Sequence, residues 1–257
     1  MDDWLHNLPV TWMAVVVLTM VYLGTGAIFA IIMLLGRGKW ARVFKGASPG
    51  LLSPLGTIFG LLVVFTIFQV WGDLDHVRLA VDRESSALRT MVLLATSFPG
   101  EPETQIRNLV RRHIEEAVKT EWPEMAKRSA SLKVAPPAFA ELLRFTLSLT
   151  PQSQGQIVAQ REIVAALENA MDARRARINL SQSTVNWVKW GCMFAQAFCA
   201  LVAIAMVHSD NRAAAAIAMG IFATGVAVCE LLIVSHDRPF TGEISVKPDV
   251  LLQVRPE

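Results

Sequence analysis

Two long stretches of this chain contain no charged residue at all, Val10 to Leu35 and Ala47 to Gly72. Charge is scarce overall, at 18% of 257 residues, where a soluble domain carries about 25%. The apolar residues make up 53% and collect toward the two ends, which excludes an ordinary soluble globule. Cysteine is equally sparse. Cys192, Cys199 and Cys229 all lie in apolar stretches without partner ligands. That argues against a disulfide framework or a thiolate metal site and predicts small buried hydrophobes. The net charge of only +2 gives no electrostatic case for nucleic acid. Missing too are a phosphate-binding glycine loop and any nameable set of nucleophile, base and orienting group, so no enzyme is expected.

Where charge is missing, membrane spans are expected. A bilayer core needs about 20 apolar residues in a helix. Four segments meet that need: Val10 to Leu35, about Leu51 to Trp71, about Val185 to Val207, and Ala213 to Ser235. The polar turn His208 to Arg212 makes the last two an antiparallel hairpin. The chain begins Met-Asp-Asp without a basic residue, and the first apolar run is long and lacks a small-residue cleavage site. The first segment is therefore expected to be a retained span rather than a signal peptide. Arg37, Lys39, Arg42 and Lys45 crowd the first loop, which predicts a cytoplasmic loop and an N-terminus outside. With four spans, the region between the second and third also falls outside. The basic cluster Arg174, Arg175 and Arg177 pulls the other way, although long domains are largely exempt from the rule.

From Asp73 to Ser183 the sequence holds 15 Lys plus Arg and 14 Asp plus Glu, a balanced polar surface. Its apolar residues recur at helical spacing, and no run alternates long enough for a strand. Leu74, Val77, Val81, Leu88 and Met91 continue the second span as one helix to the break at Pro99-Gly100. Further helices are predicted over Glu103 to Thr120, ended by Pro123, over Phe139 to Leu149, and from Gln156 toward the third span. The expected fold is an all-α integral membrane protein, with a helical soluble domain inserted between the second and third of four transmembrane helices. The predicted divisions are 10–71 (spans one and two), 72–183 (extramembrane domain), 184–235 (spans three and four) and 236–257 (tail). Pro239 stops the fourth helix, and Phe240 is expected to anchor the tail against the central domain.

Three local patterns carry a family resemblance. One runs from Gly60 through Gln69-Val70-Trp71 to Val81-Asp82-Arg83-Glu84 and Ala87-Leu88. The second is Glu121-Trp122-Pro123-Glu124-Met125. The third is Asp172-Ala173-Arg174-Arg175-Ala176-Arg177, with Asp237-Arg238-Pro239-Phe240-Thr241-Gly242 after the last span. Over nearly its whole length the chain resembles the bacterial bestrophin-like membrane proteins. The resemblance implies a pentameric anion channel whose second helix lines the pore, with the soluble part in the cytosol. No acidic cluster resembles the calcium clasp of the animal channels.

On local chemistry the second span is the pore candidate. Gly56 and Gly60 provide a small-xxx-small spacing that lets helices approach. Phe65, Phe68 and Gln69 share a face from which aromatic rings could gate by dewetting, or pack on neighbouring helices or lipid. Asp73 joins them at the mouth. Asp73 and Asp75 would favour cations while Arg78 and Arg83 would favour anions, so the ion's sign is not legible. Asp73 and His76 have a spacing two metal ligands could share, but no metal or other cofactor is expected. In the hairpin, Lys189 lies 21 residues before Asp210 and Glu230 lies 20 after it, which places them at nearly equal depth and predicts an ion pair within one subunit or between neighbours, the alternative being Lys189 at the outer interface and Glu230 facing water. The expected function is an oligomeric ion channel of a bacterial inner membrane, with lipid, small inorganic ions and further copies of itself as partners. The alternative is a non-conducting sensor or scaffold whose extramembrane domain binds an envelope partner.

Overall fold

The structure, a computed structural model, describes residues 3–36, 44, 47–133 and 135–256. The basic residues Arg37, Lys39, Arg42 and Lys45 lie outside the described residues. All regular structure among the described residues is helical. In order, the α-helices are α1 (Asp3–His6), α2 (Val10–Leu35), α3 (Leu52–Ala95), α4 (Glu101–Glu116), α5 (Trp122–Ala126), α6 (Pro137–Ser148), α7 (Gln154–Leu180), α8 (Trp187–Val207), α9 (Arg212–His236) and α10 (Asp249–Gln253). Four of them, α2, α3, α8 and α9, are long and apolar enough to cross a membrane.

Local chemistry sets the helix ends. Asn186 caps α8 by accepting from Val188 N–H, and Asn211 caps α9 by accepting from Ala213 and Ala214. Ser153 caps α7 in the same way, through Gln156 N–H. Between α3 and α4 the backbone turns at Gly100, whose φ of 94° a side chain would strain. At 44 residues, α3 is about 65 Å long, roughly twice a bilayer core.

Two expectations at helix ends fail. Pro123 does not interrupt the chain; one π-helical turn, Ala117–Glu121, leads directly into α5. Pro123 then sits in the first turn of α5, where its fixed φ suits the helix. The last helix before the third span does not run into it. α7 stops at Leu180, and Ser181 turns its hydroxyl back to the Ile178 carbonyl. The polar stretch Ser-Gln-Ser-Thr lies between Leu180 and Val185, and the helix resumes only after the Asn186 cap.

Packing divides the chain into two compact units, Met1–Trp71 with Thr184–Asp237, and Gly72–Ser183 with Arg238–Glu257. In the first unit α2, α8 and α9 pack mutually, and small buried residues such as Ala200, Ala205, Ala223 and Ala227 let them approach. The start of α3 joins this unit through Phe59 against Phe222, with ring centroids 5.6 Å apart. Its outer surface is apolar: Trp12, Met20, Leu23 and Ile221 are exposed. Such a surface suits hydrocarbon or a protein partner, not water. Cys192 and Cys199 belong to that exposed surface, not to the core as expected. They lie on the outer side of α8, which the periodicity of an almost wholly apolar helix does not distinguish from the inner one.

The second unit has a core of ordinary soluble type. Val77, Leu88 and Met91 of α3 meet Ile106 and Ile114 of α4, Leu142 of α6, and Ile163 and Leu167 of α7. The C-terminal segment completes it. Phe240 is buried with its ring edge against Trp122 at 5.6 Å, and Leu251 of α10 is fully buried. Thr241 donates to the Ala126 carbonyl and Trp122 to that of Val246, so the tail folds back as its Pro-Phe sequence predicts.

Candidate functional site

In the first unit, the helical period of α3 sorts its side chains sharply. Phe59, Val63, Thr66 and Val70 are buried. Phe65 and Phe68 project outward, 70% and 66% exposed, with Leu61 one turn before. Gln69 is half-buried beside this face, and its side-chain carbonyl accepts from Lys189 Nζ. The expected pairing of Lys189 with Glu230 is therefore replaced within the chain by a pairing with Gln69. Residue counts around the hairpin set depth along the helices but not direction around them. Lys189 points to α3, whereas Glu230 lines an apolar cavity formed by α2, α8 and α9.

In the second unit, Asp73 is half-buried and accepts from the Ser183 hydroxyl at 2.7 Å. His76 is exposed, and no cluster of three metal-ligating side chains occurs among the described residues. An open groove of about 830 Å³ runs between α3 and α7. Alanines 80, 87, 166 and 173 floor it, with Arg83 and Glu162 among the charged residues along it.

The same unit buries a charged network that sequence reasoning did not identify. Glu84 of α3 and Arg177 of α7 are both fully buried. Arg177 donates through Nε and Nη2 to the two Glu84 oxygens at 2.8 and 3.0 Å, a bidentate pair. Its Nη2 also reaches Glu121 at 2.9 Å, and Arg174 Nε donates to the other Glu121 oxygen at 2.7 Å. His113 of α4 lies 3.0 Å from Glu84 through Nε2 and stacks on Phe139 at 3.7 Å. The Trp122 ring lies 4.7 Å from the Arg177 guanidinium. Two arginines face two glutamates, so the formal charges cancel.

Burial by itself would raise the pKa of Glu84. The Arg177 charge and the hydrogen bond from His113 outweigh it and hold the carboxyl at about 2. An ionised carboxylate can only accept, so His113 Nε2 carries the shared hydrogen. For Arg177, burial would lower the pKa, but the two glutamates raise it above its ordinary value. Every charged member has a partner, and none is left open to attack a substrate. The network is a clamp that ties α3, α4, α5 and α7 together. A signal for it was present: Arg174 and Arg177 stand three apart on one face of a helix whose neighbours Ala170 and Ala173 are buried. Read only as basic residues near a span, they looked like topology signals.

The family model of the Bestrophin-like domain matches residues 19–251. Among solved structures, a bacterial bestrophin homologue from Klebsiella pneumoniae with a point mutation is similar over 93% of this chain and 97% of its own, with TM-score 0.72 and 11% identity. The same homologue solved by Zn-SAD phasing gives 0.67 over 94% and 95%, at 12% identity. A variant described as a membrane protein gives 0.71 over 93% and 96%, at 11% identity. At these identities the likeness is one of fold. No curated protein matches the chain in sequence.

Proposed function

We propose that this chain, which belongs to the bestrophin-like family, forms an ion channel in which several copies surround a pore lined by the first part of α3. The observation that carries the reading is the outward aromatic face of that helix, Phe65 and Phe68, opposite a buried face on the same span. Around a shared axis such rings form a narrow apolar constriction that opens and closes by wetting. Gln69 and Asp73 follow at the mouth, and small residues along the groove between α3 and α7 offer a seat for a neighbouring copy. The family likeness favours five copies and an anion. Lys189 beside Gln69 also favours an anion, since it brings a positive charge to the flank of the proposed pore.

In this reading the first unit is the membrane part and the second an extramembrane domain, in a bacterial inner membrane. For its orientation we follow the basic first loop, which places the second unit outside the cytoplasm. The family likeness implies the cytosol instead, and labelling decides between them. In a chain freed of Cys192, Cys199 and Cys229, a cysteine at the exposed Ser129 should react with an impermeant thiol reagent in intact cells, and one at Ser48 should not. The reverse pattern puts the domain in the cytosol. The channel reading itself is tested by particle images of the purified protein. A ring with α3 about a central axis supports it. Particles without a shared axis would sink it and leave the sensor or scaffold.

A further inference from the structure

A cavity of about 230 Å³ opens among α2, α8 and α9 in the first unit, and no residue of α3 lines it. Its walls are almost entirely apolar, and Glu230 and Thr25 are the two oxygen-bearing side chains among the residues that line it. Thr25 is 6% exposed, and its hydroxyl is buried without a hydrogen-bond partner. A threonine in a helix ordinarily returns its hydroxyl to the carbonyl four residues back. Thr19, Thr57, Thr66 and Thr224 all do so here. Thr25 does not, and its hydroxyl is left without a partner in the helix that walls the cavity. Among the described residues no hydrogen bond or ion pair engages Glu230, because Lys189 is joined to Gln69. The third feature is aromatic. Trp190, Phe194 and Phe198 recur every fourth residue along α8 and line the same cavity. The Trp190 and Phe194 rings stack at 5.7 Å.

We propose that this cavity is a binding site for a small organic ammonium ion with an apolar body. The carboxylate of Glu230 supplies the counter-charge, which an unpartnered acid in an apolar span otherwise lacks. Thr25 Oγ1 accepts a second ammonium hydrogen. The aromatic faces attract a cation through their quadrupoles, and the remaining wall takes the hydrocarbon. A bare metal ion does not suit the site, since a hard cation needs about six oxygen ligands and two side chains supply oxygen here. The size fits one ring with a short chain: a cavity of about 150 Å³ already holds benzene.

The test uses the purified full-length protein in detergent, with 2-phenylethylammonium as the probe and 2-phenylethanol as its neutral counterpart, both followed by equilibrium dialysis. The ammonium should bind saturably, and the alcohol at least about tenfold more weakly, the loss expected for one charge-assisted hydrogen bond. Glu230→Gln should weaken ammonium binding by about tenfold or more and leave the alcohol unchanged. Thr25→Val should weaken it several-fold without altering elution on size exclusion. Equal binding of ammonium and alcohol would overturn the proposal by showing an apolar crevice only. So would a Glu230→Gln protein that keeps full ammonium affinity. If Glu230→Gln does not fold, the ammonium-to-alcohol ratio in Thr25→Val decides, and an unchanged ratio overturns the proposal. No ion flux is read, so this outcome and that of the channel proposal are independent.

Discussion

The first unit has an apolar core of alanine, valine, leucine, isoleucine, methionine and phenylalanine, with His6 the one buried ionisable side chain among its described residues, whereas the second buries two glutamates, three arginines and a histidine. Both are helical, yet they hold helices together differently. Between apolar spans in a bilayer, water exclusion supplies no force, because lipid is as apolar as leucine. Close approach through small residues then matters most, and Ala200, Ala205, Ala223 and Ala227 provide it. The second unit has amphipathic helices and an apolar core like any soluble domain. Core burial alone specifies poorly which helix face meets which. The Glu84–Arg177–Glu121 network adds fixed directions, since a bidentate pair tolerates one geometry.

The sharpest way to break this contrast is Arg177→Met. It leaves Glu84 and Glu121 buried without their shared cation, and one-sided removal from such a pair costs about 3–5 kcal/mol. Thermal unfolding of the purified protein should show a large fall in midpoint. Adding Glu84→Gln should recover part of it, because the stranded charge is then gone. A midpoint within a degree or two of the parent would mean that the network orders nothing.

Phenylalanine deletions sharpen the comparison. Phe240→Ala empties a buried site against Trp122 and should destabilise by about 3 kcal/mol. Phe65→Ala removes the same atoms from an exposed position and should change stability by no more than about 0.5 kcal/mol. Equal effects would erase the distinction between a core and a free face.

Acid gives a smaller, graded effect. The Glu84 carboxyl is held at about 2 in the folded protein, against an ordinary value of 4.5. Its folded pKa is depressed, so its stabilising contribution is complete above about pH 4.5. It is lost as pH falls from there toward 2. Thermal midpoints taken across that window should fall less steeply for Glu84→Gln than for the parent. Parallel curves would contradict the assignment.

The spans were legible because their signal is an absence. No charge occurs between Val10 and Leu35, and the helix found there has those same ends. The long α3 was legible because Leu74, Val77, Val81, Leu88 and Met91 keep one period until Pro99-Gly100 breaks it. What failed depended on direction around a helix or on partners distant in sequence. Lys189 and Glu230 have matching depth but different faces, and only packing reveals that Lys189 reaches Gln69. Glu84 and Arg177 are 93 positions apart, so their pairing leaves no local trace. The segment from Ser181 to Asn186 separates helices that apolar pattern alone would join, because serine, threonine and asparagine act through hydrogen bonds that hydropathy does not record.

The central claim is that the exposed aromatic face of α3 lines a conducting path. Ion flux from liposomes holding the reconstituted protein tests it most directly, comparing the parent with Phe65→Ala and with Phe29→Ala in the first span. The account predicts a clear rise in flux for Phe65→Ala, from a wider and wetter constriction, and little change for Phe29→Ala. Flux absent from all three, or raised equally by both substitutions, would contradict it.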